Sequence, residues 1–329
     1  MRRKDFIKLS TLFGGGLFSG ASYAGNRKKR ISDIHPSEAF ANAGIQGSMF
    51  DYADAPIEKV RVAIVGLGNR GSTLVEMLSW LVRHNHAEIV AICDVQPEFL
   101  DRAEESIAKF QSSAPRRVDG SSDENAWQNM CNTEEADLLL VTTPWRWHAP
   151  MAIYAMEKGL HVATEVPIAY TVHENLEILK TAERTQRHCI MLENCCYNEE
   201  ELFVLNKVKE GAFGDLTHAE CAYIHDLRQL LIDEKYYHNR WRLQHHLERD
   251  GNLYTTHGLG PVCMYMDILR GDNLSHLISM SSNEASLSKA LRESEDPSLN
   301  ALADQVKCGD VNTTLIKTEQ GRSIMLQFD

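Results

Sequence analysis

Apolar and polar positions follow two periods along this chain, and the two periods alternate. Val60 to Val65 is a short, mostly β-branched run that reads as a buried strand ending at a glycine loop. Ser72 to His84 follows, with Leu74, Met77, Leu78 and Leu81 at helical spacing. Glu88 to Cys93 is the next predicted strand, with Asp94 at its end. Gln96-Pro97 opens a helix through Phe110, with proline in the first turn. Gln111 to Asn125 is polar and reads as loop, and Leu138 to Thr142 is a continuous apolar strand. A helix from Pro150 to Lys158 is stopped by Gly159. Then come a strand at His161 to Ala163, a helix at Val172 to Thr185 and a strand at Cys189 to Leu192. Strands alternating with helices predict a parallel sheet with right-handed crossovers. Residues 59–193 are therefore expected to form one doubly wound α/β domain.

The pattern changes after Glu200. Glu201 to Glu210 is helical, Leu216 to Ile224 alternates as a strand, and Asp226 to Leu247 is polar, aromatic and irregular. Gly260 to Leu269 is helical. Asn312 to Lys317 and Arg322 to Phe328 flank a hairpin signal at Thr318-Glu319-Gln320-Gly321. Residues 194–329 read as an α+β domain, an open antiparallel sheet with helices on one face. The chain stops at Asp329, directly after a predicted strand, which leaves a sheet edge uncovered and reads as a truncated domain.

Two features of composition narrow the partners. A net charge of −12 argues against nucleic acid, because phosphate binding needs a basic face. The first residues differ from the rest: Arg2, Arg3, Lys4 and Lys8 flank Asp5, and Leu9 to Gly20 is apolar and small. Ser22-Tyr23-Ala24 then offers small residues around a cleavage point. Residues 1–24 read as an export signal, too short and too mildly hydrophobic for a stable membrane span. Its paired basic residues point to the twin-arginine route and a periplasmic address, although aligning Phe6-Ile7-Lys8 with the end of that motif puts Arg3-Lys4 at the twin position. Residues 25–58 read as a leader that drapes over the domain or stays mobile. The eight cysteines fall in predicted strands and helices of a chain large enough not to need staples, so they read as free thiols. No CxxC or HExxH spacing appears, and the adjacent His245-His246 would point apart, so no metal site is expected.

The loop after the first strand is Gly66-Leu67-Gly68-Asn69-Arg70-Gly71. A glycine motif of this type is weak alone. Here it follows a strand, opens a helix and precedes an acidic residue at a second strand end, which is the context a dinucleotide-binding Rossmann domain requires. Gly66 permits the tight turn, Gly68 lets backbone approach the pyrophosphate, and Gly71 lets helix pack against strand. The helix N-terminus adds unpaired N–H groups and positive potential. Asp94 would bond the adenine-ribose hydroxyls and repel a 2′-phosphate, favouring NAD over NADP; Arg70 is the opposing feature, a cation able to meet that phosphate.

Further motifs carry a family resemblance. They are Trp145-Arg146-Trp147-His148, Glu165-Val166-Pro167, Glu193-Asn194-Cys195-Cys196-Tyr197, Ala222-Tyr223-Ile224-His225-Asp226, Trp241-Arg242, and Tyr254-Thr255-Thr256-His257-Gly258-Leu259-Gly260. In this order, over about residues 59–329, they resemble the Gfo/Idh/MocA oxidoreductases, and within them glycoside hydrolase family 109, typified by NAD-dependent α-N-acetylgalactosaminidase. Val166 stands where the dehydrogenases of that superfamily carry a lysine, which argues against a simple sugar dehydrogenase. The resemblance implies NAD contacts from Asn69, Arg70, Asp94, Trp145, Arg146, Trp147, His148, Glu165, Val166 and Asn194. It implies sugar contacts from Tyr223, Arg242, Tyr254, Thr255, Thr256 and His257. Family members run well past Asp329, and a later substrate-contacting tyrosine has no counterpart here.

The activity implied is hydrolysis of terminal α-linked N-acetylgalactosamine by oxidation, elimination, addition and reduction, with NAD regenerated each turnover. Such NAD-dependent glycosidases depart from the usual two-carboxylate scheme. His257 is the leading acid/base candidate because imidazole titrates near neutral pH. Tyr254 lies three residues before it, and Tyr197 is a second proton-transfer candidate. Arg242 is a fixed cation suited to hydroxyls or an acetamido carbonyl. Plainer readings make His257 a helix-cap residue and Tyr197 a core tyrosine. His225 and Asp226 read equally as pocket mouth or solvated loop. Rival functions are an NAD-dependent sugar or cyclitol oxidoreductase and an inactive cofactor-binding fragment. Open-sheet domains of this type often pair through exposed faces, which leaves a homo-oligomer open.

Overall fold

The computed structural model describes residues 43–132 and 134–329, so the export signal and most of the leader lie outside the described residues. Six parallel strands form the first sheet: β1 (Val60–Val65), β2 (Ala87–Asp94), β3 (Arg116–Asp119), β4 (Leu138–Val141), β5 (His161–Thr164) and β6 (Cys189–Met191). Their order is β3-β2-β1-β4-β5-β6, a Rossmann arrangement. The linking helices are α1 (Asn69–Arg83), α2 (Pro97–Ile107), α3 (His148–Glu157) and α4 (Val172–Thr185).

The physics of β1 explains its sequence. Ala63 and Val65 enter one core with Leu139 and Val162, while Val62 and Ile64 enter the other with Ile89 and Leu100. A strand covered on both faces must be apolar at successive positions. Strand β3 falls in the stretch read as loop. It is an edge strand of Arg-Arg-Val-Asp in which Val118 alone is buried, so it carries almost no hydrophobic signal. Helix α4 is set by a capping box between Thr171 and Glu174. Residues 43–58 hold no helix or strand and lie on this side of the domain. The backbone amides of Gln46, Gly47 and Ser48 donate to Glu183, and Arg187 meets Asp54 at 2.6 Å.

The second domain has a four-stranded sheet built from β7 (His218–Tyr223), β8 (Leu274–Ser281), β9 (Asn312–Thr318) and β10 (Ser323–Phe328). Its order is β7-β10-β9-β8. β10 pairs antiparallel with β9 but parallel with β7, so the sheet is mixed rather than antiparallel. Ile316 and Ile324 pack inward with Val262 and Met266. Ile278, Met280 and Leu315 are exposed on the strands.

The helices of this half are α5 (Glu199–Lys209), α6 (Arg228–Ile232), α7 (Trp241–Glu248), α8 (Thr256–Tyr265), α9 (Ser286–Arg292) and α10 (Pro297–Asn300). The stretch read as irregular therefore contains α6 and α7. Leu231, Leu243 and Leu247 bury there with Leu287, Leu291 and Leu299. Helix α8 begins four residues before the expected start because its glycines serve close packing, not termination. A Cβ at Gly260 would lie 3.1 Å from Glu193 Cγ and 2.9 Å from Cys196 Sγ. Among the described residues no helix is long and apolar enough to cross a membrane. All eight cysteines are free.

Candidate active site

Strand order reverses at β1, whose neighbours are β2 and β4, and ligands of doubly wound sheets bind at that point beyond the strand ends. A cavity of about 1140 Å³ lies there, walled by both domains. It exceeds the ~300–1,000 Å³ of ordinary ligand clefts, and so has room for a dinucleotide and a second ligand.

The glycine loop fits a pyrophosphate for two separate reasons. A Cβ at Gly71 would sit 2.1 Å from the Gly66 carbonyl oxygen, so this glycine is demanded by packing. At Gly68 the nearest atom to such a Cβ is a Phe99 ring carbon at 3.7 Å. Protein packing does not demand glycine there; its bareness leaves backbone open to the cavity. Asp94 is buried at the tip of β2. One carboxylate oxygen accepts from Leu67 N–H at 2.6 Å and the other from Gln96 N–H at 2.8 Å. Burial pushes its carboxyl above the usual range against those bonds. Its remaining lone pairs suit hydroxyl donors. Arg70 Nε is bonded to Glu165 at 2.7 Å. One edge of the guanidinium is thus engaged by the carboxylate beyond β5, while Asp94 stands at the end of β2.

At the other end of the cavity, aromatic rings enclose a cation. Arg242 is 6% exposed. Its guanidinium carbon lies 5.0 Å from the Trp145 ring centre, 5.4 Å from Tyr237 and 4.7 Å from Tyr254. Nη1 donates to the Tyr237 hydroxyl at 2.8 Å, whereas Nε and Nη2 are buried with no partner. No carboxylate neutralises it within hydrogen-bond reach among the described residues. Buried donors of this kind await an acceptor. Trp145 stacks on Tyr254, with centroids 5.5 Å apart and planes 14° apart. Burial raises the Tyr254 phenol, so it stays protonated and serves as a donor.

His257, in the first turn of α8, lies against Tyr254 and lines the cavity. Its Nδ1 is 2.5 Å from Glu193 Oε1. Burial, the largest single influence, pushes the Glu193 carboxyl up, but its hydrogen bonds and the neighbouring imidazole together outweigh it and the net shift is downward. An ionised Glu193 accepts from Nδ1–H, which leaves the lone pair of neutral His257 on Nε2. His257 is therefore paired with a carboxylate and is not a helix cap. Glu193 is absent from the residues expected at the site. The available signal was its position just beyond β6, an acidic residue at a parallel strand end.

The remaining expected residues divide. Asn69, Arg146, Trp147, Glu165, Val166 and Asn194 line the cavity. Tyr223, Thr255 and Thr256 are not among its lining residues; Tyr223 packs behind Tyr254 and bonds His225 Nδ1 at 2.8 Å. His148 borders the cavity, but its ring nitrogens lie 2.6 and 2.7 Å from the Pro167 and Thr143 carbonyl oxygens. It braces two loops and has no nitrogen free for a cofactor. Tyr197 is 67% exposed and outside the cavity, neither core nor site. Asp226 pairs with Arg228 away from it. Among the described residues, Glu193, Cys195 and His257 place ligand-type atoms within 4.8 Å of one another. The Glu193–His257 bond already uses two of those atoms.

His245 and His246 on α7 do point apart, one to Trp145 and the other to Phe328. Burial, with Arg249 or Arg242 adding to it, pushes them down to about 4 and about 3. Both therefore bind protons more readily unfolded than folded. Stability is full above the unfolded value near 6.5 and falls as pH drops toward the folded values. His246→Gln should flatten that fall by up to about 1.4 kcal/mol per pH unit, read by urea melts between pH 4 and 8.

The fold and cleft define an NAD-binding Rossmann protein with a second, mixed-sheet domain. Residues 60–193 match the oxidoreductase family, NAD-binding Rossmann fold, and residues 197–329 match the glycosyl hydrolase 109 C-terminal domain. A protein named α-N-acetylgalactosaminidase from Shewanella oneidensis is 44% identical over 100% of this chain and 69% of its own. Glycosyl hydrolase family 109 protein 2 of Phocaeicola vulgatus is 45% identical over 83% of this chain and 65% of its own. The α-N-acetylgalactosaminidase of Bacteroides fragilis is 40% identical over 86% and 66%. The chain belongs to glycosyl hydrolase family 109. It spans about two thirds of the length of these relatives. Among solved structures, myo-inositol 2-dehydrogenase from Lactobacillus plantarum shares the fold, with a TM-score of 0.61 at 18% identity over 82% of this chain and 69% of that one. Scyllo-inositol dehydrogenase from Lactobacillus casei with NAD(H) and scyllo-inositol has a TM-score of 0.58 at 15% identity, over 82% and 69%.

Proposed function

We propose that this protein is an exported glycosidase that removes terminal α-linked N-acetylgalactosamine through a redox-neutral cycle on NAD. The observation that carries the reading is that His257, held from behind by Glu193, and Arg242, with Nε and Nη2 unpaired, line the same cavity as the glycine loop. Two relatives are named for that activity. When bound, NAD supplies reversible oxidation of a ring hydroxyl, which acidifies the adjacent carbon and lets the C1 group leave.

The protein's own residues handle protons and position. Glu193 holds His257 so that Nε2 accepts a proton from the sugar and later returns it. The Tyr254 hydroxyl, kept protonated by burial and 3.5 Å from the Val166 carbonyl oxygen, is a donor beside it. Arg242 offers Nε and Nη2 to an acceptor such as the acetamido carbonyl. Val166, buried, puts an apolar side chain where the oxidoreductases place a lysine, so proton transfer falls to His257. The export reading rests on residues 1–24 and on the chemistry: a cofactor restored each turnover need not be resupplied outside the cytoplasm.

The test uses the full chain purified with its NAD retained. A nitrophenyl α-N-acetylgalactosaminide should release nitrophenol with no net rise in reduced-nicotinamide absorbance. A stoichiometric rise without nitrophenol would make the protein an oxidoreductase. No cleavage of either the α- or β-N-acetylgalactosaminide sinks the proposal.

A further inference from the structure

Part of the cofactor cleft is roofed by the other domain. Residues 233–240 connect α6 to α7, and Lys235, Tyr236, His238 and Asn239 line the same cavity as Gly68, Asn69 and Asp94. Asn69, at the start of α1, donates its side-chain amide to the Tyr236 carbonyl at 3.0 Å. Among the described residues this is the segment's one hydrogen bond to the Rossmann domain.

The segment is pinned at its ends and, near its middle, by Tyr237, whose hydroxyl accepts from Arg242 and whose ring packs on the leucine cluster of this domain. Asp233 accepts from the backbone N–H groups of Lys235 and Tyr236 at 2.7 and 3.1 Å. Arg240 donates to the Ile232 carbonyl at 2.8 Å and to Asp296 at 2.9 Å. Asn239 and Arg240 take successive left-handed φ values of 55° and 52°. Two non-glycine residues in that region hold only where neighbours impose it, and here the Arg240 anchors do so. Lys235, Tyr236, His238 and Asn239, between the pins, are all exposed.

We propose that residues 233–240 form a strap that closes over bound NAD and sets the rate at which the cofactor leaves. A dinucleotide lying on the glycine loop and reaching Asp94 runs beneath the segment. Release then requires the Asn69–Tyr236 latch to break and the exposed residues on either side of Tyr237 to lift away from the glycine loop. Lys235 and His238 add a cation and an imidazole to a floor that meets pyrophosphate with backbone amides. The proposal rests on NAD binding by the Rossmann domain, not on the glycosidase reading, and its test contains no sugar.

The full chain is loaded with isotope-labelled NAD and chased with unlabelled NAD. Replacing Lys235, Tyr236, His238 and Asn239 by glycine or serine, with Tyr237 kept, should speed loss of label about tenfold, the worth of one or two hydrogen bonds. In the wild-type protein, amides 234–239 should exchange deuterium more slowly with NAD than without it, while the 319–321 hairpin turn is unchanged. Unchanged label release from the folded variant overturns the strap, as does equal exchange at 234–239 in the two states. The exchange measurement decides if the variant does not fold.

Discussion

His257→Ala is expected to lower kcat by about two to four orders of magnitude, the usual worth of a positioned acid/base group, while NAD content holds. The His257 side chain is 15% exposed and its loss leaves the buried Glu193 carboxylate without this partner, so the melting temperature is expected to fall as well. Glu193→Gln tests the other half of the pair. Glutamine keeps the shape of the side chain but removes the anion that orients Nδ1–H, so kcat should fall while KM changes little. Steady-state kinetics on protein with retained cofactor, with bound NAD assayed alongside, checks both. Full turnover in His257→Ala removes this residue from the chemistry. A loss of bound NAD in step with activity would place the pair in cofactor binding instead.

Arg242→Met should reduce kcat/KM by about two orders of magnitude, the scale of a hydrogen bond to a charged donor lost in a buried site. It should do so without destabilising the fold. A buried guanidinium with Nε and Nη2 unpaired is a cost to the folded state, and an apolar chain of similar length removes that cost. The melting temperature is therefore expected to stay level or rise, a trade of stability against function. Arg242→Lys should not rescue activity, because an ammonium lacks the planar fork that fits among three rings. A marked drop in melting temperature in Arg242→Met would make the arginine a structural post rather than a substrate contact.

The Rossmann half could be read residue by residue because its constraints are local. A parallel strand covered on both faces must be apolar at consecutive positions, as Val62 to Val65 are. Where the Gly71 backbone meets the Gly66 carbonyl no side chain can intervene, so the glycine shows in the chain itself. Strand β3 escaped because an edge strand with one buried residue has no such requirement. Helix α8 was misplaced because Gly260 looks like punctuation until Glu193 is seen pressed against it.

The site was legible as a set of residue types and not as an arrangement. Glu193 and His257 are 64 positions apart, and nothing near either one announces the other. They meet because β6 ends beneath α8, and that docking depends on apolar burial summed over both domains. Tyr197, by contrast, has the chemistry for proton transfer but leaves β6 on the solvent side. Residue chemistry and strand-end position select the candidates; whether two of them share a hydrogen bond is set by how the layers pack. The same division applies to residues 233–240, polar and unpatterned in the chain, which acquire a role only because α6 and α7 hold them over the glycine loop.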